Sequence, residues 1–182
     1  MTSDSGNQTP ATGRNPDLVY LDSNFYFDYL ISNRAGHQLA VDVINAWKAG
    51  AVELATSALT LTEVLYVKLD VPNERRKIDR SREPDIIDLF AEYGPRRLRL
   101  IETDRRVGED ARRVFYDCAI DPKDAIHVAS AIRGRCPVMF SRDHKLLRAS
   151  GKVGGTPTLV IKKPSWTVQT SLGLDESSPL GR

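Results

Sequence analysis

Cysteine is nearly absent from this chain. Cys118 and Cys136 are the only two in 182 residues, with no CxxC pair and no histidine at zinc spacing nearby. That excludes a disulfide framework and a cysteine-rich zinc site, and both side chains read as reduced thiols. No stretch approaches the ~18 consecutive apolar residues of a membrane span. The opening MTSDSGNQTPATGRNP has no apolar run of the kind a secretory signal needs, so the expectation is a cytosolic protein. The phosphate-cradling signatures GxxxxGK[ST] and GxGxxG are also missing, which argues against a nucleotide-binding enzyme of either type.

What is present suits one domain. The hydrophobic content is 41%, enough for a single buried core in a chain of this length. The net charge of +2 conceals arginine-rich groups: Arg75, Arg76, Lys77, Arg80 and Arg82; Arg96, Arg97 and Arg99; Arg105 and Arg106; Arg112 and Arg113. Such groups suit a polyanionic partner, although solvated helix faces account for them equally well. Residues 1–16 are polar and read as a flexible leader, residues 17–163 as the folded domain, and residues 164–182 as a tail without order.

Within the domain, short apolar runs alternate with helical stripes. Leu18 to Leu21 reads as a buried strand stopping at Asp22 and Ser23; Tyr26, Phe27, Leu30 and Ile31 then form a helical face. Ala40, Val43, Ile44 and Trp47 mark a second helix closed by Gly50. A strand to Thr56 leads into a helix whose core face carries Leu61, Val64, Leu65 and Leu69, and the charged stretch 73–82 follows as an exposed connection or outer helix turn. Pro84 opens another helix, Leu98 to Ile101 makes a strand, and two helices centred on Val114 and Val128 come next, the second ended by Gly134. Strands at 137–141 and 158–162 complete the pattern. Strands alternating with helices predict an α/β fold, a three-layer sandwich with a mostly parallel central sheet flanked by helices.

Four stretches place an acid where a strand meets a helix: LVYLDSN with Asp22, TSALTLTEVLY with Glu63, DPKDAIHVASA with Asp124 and VMFSRDHKLL with Asp143. Each has a plain structural explanation. Asp22 and Asp143 fit helix N-caps, Thr60 and Glu63 fit a capping box, and Asp121, Pro122 and Asp124 fit a helix start. In parallel strands, however, these junctions share one edge of the sheet, so residues distant in sequence converge. Carboxylates gathered there resist ionisation unless a cation compensates them, and a hard divalent ion such as Mg2+ or Mn2+ is the natural occupant. A phosphotransferase using Asp22 as nucleophile expects a second Asp two positions later, where this chain has Asn24.

LVYLDSN, TSALTLTEVLY, KDAIHVASA and MFSRDHKLL, in this order, resemble the four acidic motifs of PIN-domain ribonucleases, and most closely the VapC-like toxins of toxin–antitoxin systems. The likeness runs over residues 18–161. It implies a PIN-like fold and a Mg2+- or Mn2+-dependent endoribonuclease with Asp22, Glu63, Asp124 and Asp143 as the catalytic and metal-holding set. It further implies that Asp22 and Asp124 hold the principal ion, with Ser141 and Asn24 as supporting polar neighbours. A small antitoxin covering the site is the implied partner, alongside an RNA substrate recognised in unpaired regions. The chain departs from the compact toxin pattern in its leader, the charged insertion 70–82 and its tail.

Other residues carry two readings each. His127 and His144 fit a histidine general base less well than a surface or supporting role, and His37 has no partner in sequence. Lys68, Arg142 and Lys145 flank the acid motifs as phosphate contacts or as solvated side chains. Homodimerisation through the early helices, with Tyr26 and Trp47 at the contact, competes with both being core. The alternative function is a PIN-fold module that binds RNA or a protein without turnover.

Overall fold

The architecture is taken from a computed structural model that describes residues 18–69, 77–91 and 98–165. The expected leader (1–16), nearly all of the expected tail and part of the charged insertion lie outside the described residues, as do the side chains of Lys68, Leu69 and 77–79. In chain order the elements are β1 (Leu18–Leu21), α1 (Ser23–Leu30), α2 (His37–Ala49), β2 (Glu53–Ser57), α3 (Ala58–Glu63), β3 (Val67–Leu69) and β4 (Lys77–Asp79). A 3-10 turn (Arg80–Arg82) leads to α4 (Glu83–Phe90), β5 (Arg99–Ile101), α5 (Arg105–Cys118), α6 (Pro122–Arg133), β6 (Val138–Phe140), α7 (His144–Ala149) and β7 (Val160–Lys162).

Five strands form one sheet in the order β5-β2-β1-β6-β7, with every pairing parallel. Tyr20 in β1 lies between Ala55 and Met139 of its two neighbours. Successive strand side chains point to opposite faces, so one strand feeds two cores. Tyr20, Met139 and Ile161 join Val107, Val114, Val128 and Leu146 on one side. Leu21, Leu54 and Phe140 join Phe25, Tyr26, Val43 and Trp47 on the other. The central strand β1, covered on both faces, is a continuous apolar run, and the three-layer α/β sandwich expected from the alternation is the observed fold.

Helix ends follow their local chemistry. Gly50 closes α2 in the left-handed region (φ 84°), as its position predicts. Gly134 caps α6 with φ −70°, and is glycine for a different reason: an added Cβ would collide with Ile101 of β5. The left-handed position falls on Arg135 instead (φ 55°).

Two expectations are corrected. The helix after β2 stops at Glu63, so Leu65 is 62% exposed and Leu69 lies in β3 rather than on a helical face. Antiparallel pairing of β3 with β4 draws Val67 to Leu69 out of the helix; the charged stretch, read as an exposed connection or outer helix turn, holds the strand β4 and then a helical turn of the 3-10 type. Tyr26 and Trp47 are both buried in the core beneath α1 and α2, which removes them as dimer contacts. No helix among the described residues is long and apolar enough to cross a membrane.

Candidate active site

Parallel strands bring their C-terminal ends to one edge, and the acids collect there. Asp22 follows β1, Glu63 ends the helix after β2, and Asp143 follows β6. Asp124 sits in the first turn of α6, close enough to Asp143 and Asp22 to be repelled by both.

Asp22 caps α1: Oδ1 accepts the Phe25 amide at 3.1 Å, and the side chain is buried. Burial pushes its carboxyl up; His127, the Ser141 hydroxyl and the Phe25 and Asn24 amides oppose that shift. Asp143 caps α7, with Oδ1 accepting the amides of Lys145 at 2.6 Å and Leu146 at 3.1 Å. Capping and clustering therefore coexist, since the helix-capping bonds of both residues run through Oδ1. Asp124 is raised from 3.8 to about 6, first by burial and then by the negative charge of Asp143, with Asp22 and Asp121 adding to it and His127 opposing.

Ser141 stands between two of the acids. Its hydroxyl bonds Asp22, and its Oγ accepts the Asp143 amide at 3.2 Å. Asn24 has an exposed side chain and reaches Asp22 through its backbone amide.

Glu63 makes no capping box. It lies at the C-terminal end of α3, too far along the helix to serve its first turn, while Thr60 Oγ1 pairs with Thr56 Oγ1 at 2.7 Å. Its carboxylate instead takes His127 Nε2 at 2.8 Å on Oε2 and Lys123 Nζ at 3.3 Å on Oε1. Burial acts to raise this group, but the hydrogen bond and charge of His127, with Ser23 and Lys123, hold it at about 2.

His127 is itself fixed from behind. It is 2% exposed, with Nδ1 2.8 Å from Tyr20 Oη and 3.4 Å from Ser57 Oγ. Burial moves the Tyr20 hydroxyl far above the ordinary phenol range, so it remains a donor. Nε2–H donates to the Glu63 carboxylate, and Nδ1 faces the Tyr20 hydroxyl. Sequence spacing contained part of this: His127 follows Asp124 by three residues and shares its helix face. Tyr20, Ser57 and Ser23 carried no such signal. His144 is exposed, and His37 Nδ1 donates to the Asp28 carbonyl at 3.0 Å.

The donor chemistry fits a hard cation. Asp22, Asp124 and Asp143 offer only oxygen, and the repulsion of Asp124 by the other two is what a divalent ion relieves. Arg142 and Lys145 do not fill this place, because they pair with Asp28 and Asp121 respectively. Among the described residues, no group of three or more His, Cys, Asp or Glu side chains is arranged so that it could hold a metal ion. Beside the acids runs a groove of about 530 Å3 whose walls include Phe27, Tyr66, Arg34, Lys123 and Glu63.

Residues 19–152 match the family model of the PIN domain. The chain is similar in structure to VapBC2 from Rickettsia felis, solved bound to a DNA fragment from their promoter. That likeness has 14% identity and a TM-score of 0.52, over 81% of this chain and 99% of the other. It is likewise similar to a chain of a toxin–antitoxin complex from Klebsiella pneumoniae, at 19% identity and a TM-score of 0.52, over 82% of this chain and 99% of that one. No curated protein sequence matches it.

Proposed function

The chain belongs to the PIN-domain family, and from that premise we propose that it is a Mg2+- or Mn2+-dependent endoribonuclease, the toxin of a type II toxin–antitoxin pair. The observation that carries this reading is the convergence of Asp22, Asp124 and Asp143 at one sheet edge, with Asp124 within electrostatic reach of the other two. Asp22 and Asp124 would hold the principal ion, with Glu63 and Asp143 completing the site directly or through water. The chemistry supplied by a bound divalent ion is neutralisation of charge on the phosphoryl oxygens and activation of the attacking water.

The chain's own residues do the rest. Ser141 orients Asp22 and the start of the Asp143 loop, and the Tyr20–His127 pair fixes the Glu63 carboxylate. No side-chain nucleophile is needed. The structural relatives come from complexes of toxin with antitoxin, which supports an antitoxin partner here. Such a partner would offer a basic side chain to the acids and an amphipathic segment to the groove beside them. The substrate would be unpaired RNA, whose bases are open to side chains.

The test is RNA cleavage by the purified chain with Mg2+ or Mn2+, with chelator, and by Asp22→Asn. Activity that needs the ion and falls about a hundredfold or more in the variant supports the reading. Activity indifferent to chelator would remove the metal, and an unimpaired Asp22→Asn would remove the site. A second reading, binding without turnover, draws on the occupation of both Glu63 oxygens by Lys123 and His127. It prevails if the folded protein binds RNA yet neither takes up Mn2+ nor cleaves any RNA.

A further inference from the structure

One buried carboxylate on α1 holds more positive charge than it needs. Asp28 is 3% exposed; Arg34 Nε lies 2.7 Å from its Oδ1, and Arg142 Nε lies 3.4 Å from its Oδ2. One guanidinium compensates one carboxylate. The second leaves the trio with a net positive charge and two like charges drawn to the same group, an arrangement that favours an anion nearby.

The chain makes room for this arrangement. Gly36 has an ordinary φ of −95°, so its backbone does not require glycine, but an added Cβ would run into Asp28 Oδ2 and the Arg142 guanidinium. The two arginine side chains nonetheless keep 38% and 40% of their surface exposed. Bound to Asp28 through Nε, each is held at one end of its planar fork while solvent reaches the side chain.

Their location gives the pair a use. Arg34 lines the groove that also contains Glu63 and Lys123, with Phe27 and Tyr66 on its walls. Arg142 directly precedes Asp143 in the loop between β6 and α7. A positive pair therefore borders an acidic cluster that would otherwise repel a polyanion. Aromatic walls beside cations are the composition that binds single-stranded nucleic acid by stacking and phosphate contact.

Resting on the nuclease reading above, we propose that Arg34 and Arg142, braced on Asp28, bind a backbone phosphate of the RNA strand lying in this groove. A purely structural clasp would tie α1 to the Asp143 loop and leave RNA affinity untouched. The two roles are separable because each arginine can be removed singly while the other still compensates Asp28.

The experiment measures binding of a labelled single-stranded RNA of about ten nucleotides by fluorescence anisotropy over a range of salt, with EDTA present to prevent turnover. The proteins are the full-length wild type, Arg34→Gln, Arg142→Gln and the control Arg105→Gln on α5, all checked for folding by circular dichroism. The expected result is roughly tenfold weaker binding for Arg34→Gln and for Arg142→Gln, with the salt slope reduced by about 0.7 in each, the share of one neutralised phosphate on a single strand. Arg105→Gln, which removes the same charge from a side chain that does not line the groove, changes neither. Equal effects in all three variants, or no effect in Arg34→Gln and Arg142→Gln, overturn the proposal; so does a wild type that binds no RNA. Metal-dependent cleavage measured in parallel separates the two readings. Cleavage without arginine dependence leaves the nuclease standing, and arginine-dependent binding without cleavage under any divalent ion removes the nuclease and retains the phosphate site.

Discussion

At the residue scale, the protonation of Asp124 is the most exposed consequence of the acid cluster. A carboxyl held at about 6 against an ordinary 3.8 binds its proton more tightly in the folded than in the unfolded chain. Its contribution to stability is therefore fully present below 3.8 and is lost as pH rises through about 6. Asp124→Asn should stabilise the metal-free protein at neutral pH by about 1 kcal/mol after allowance for partial exposure, seen as a higher melting temperature, with the gain vanishing in acid. Thermal melts in EDTA at the two ends of that range check it, and a variant destabilised at neutral pH refutes it. A second expectation concerns His127, whose bond to Glu63 spans 64 residues and whose bond to Tyr20 spans 107. His127→Leu should weaken Mn2+ binding about 10- to 100-fold, and His127→Gln, which keeps an N–H, should recover part of it. Equal weakening in both would mean the imidazole only fills space. Asp22 and Asp143 were legible because each stands where a strand meets a helix, whereas Glu63 ends α3 and Asp124 opens a helix that follows another helix, so the strand-to-helix reading fails for those two; the pairs that orient the acids join residues on different elements.

Among elements, the junction of β2 with α3 sets where Glu63 lies. Thr56 Oγ1 donates to the Leu21 carbonyl at 2.8 Å, linking the end of β2 to the residue before Asp22, and pairs with Thr60 in the first turns of α3. Thr56→Val keeps the shape and leaves a buried hydroxyl and carbonyl short of a partner, at a cost of about 1–3 kcal/mol. Denaturant melts should show that loss together with weaker metal binding; a stability loss with metal affinity intact would confine Thr56 to the fold. Elements with a clear period, such as the Ala40, Val43, Ile44, Trp47 face of α2, could be read in advance. The end of α3 could not. Leu61, Val64 and Leu65 imitate a helical stripe, and only the pairing of β3 with β4, a contact across the charged stretch that follows, shows where the helix gives way.

Over the whole molecule, the two-sided burial of a parallel sheet explains both the fold and the site. Val19, Leu21 and Phe140 feed one core, Tyr20 and Met139 the other, and the strand ends are left to meet at a common edge. That much follows from apolar runs alternating with helical stripes. The direct test of the account is titration of Mn2+ into the metal-free protein, followed by electron paramagnetic resonance, in wild type, Asp22→Asn and Asp124→Asn. The account predicts saturable binding in the wild type that falls at least about tenfold in each variant, with folding retained. Binding that is absent from the folded wild type, or equal in all three proteins, would contradict it.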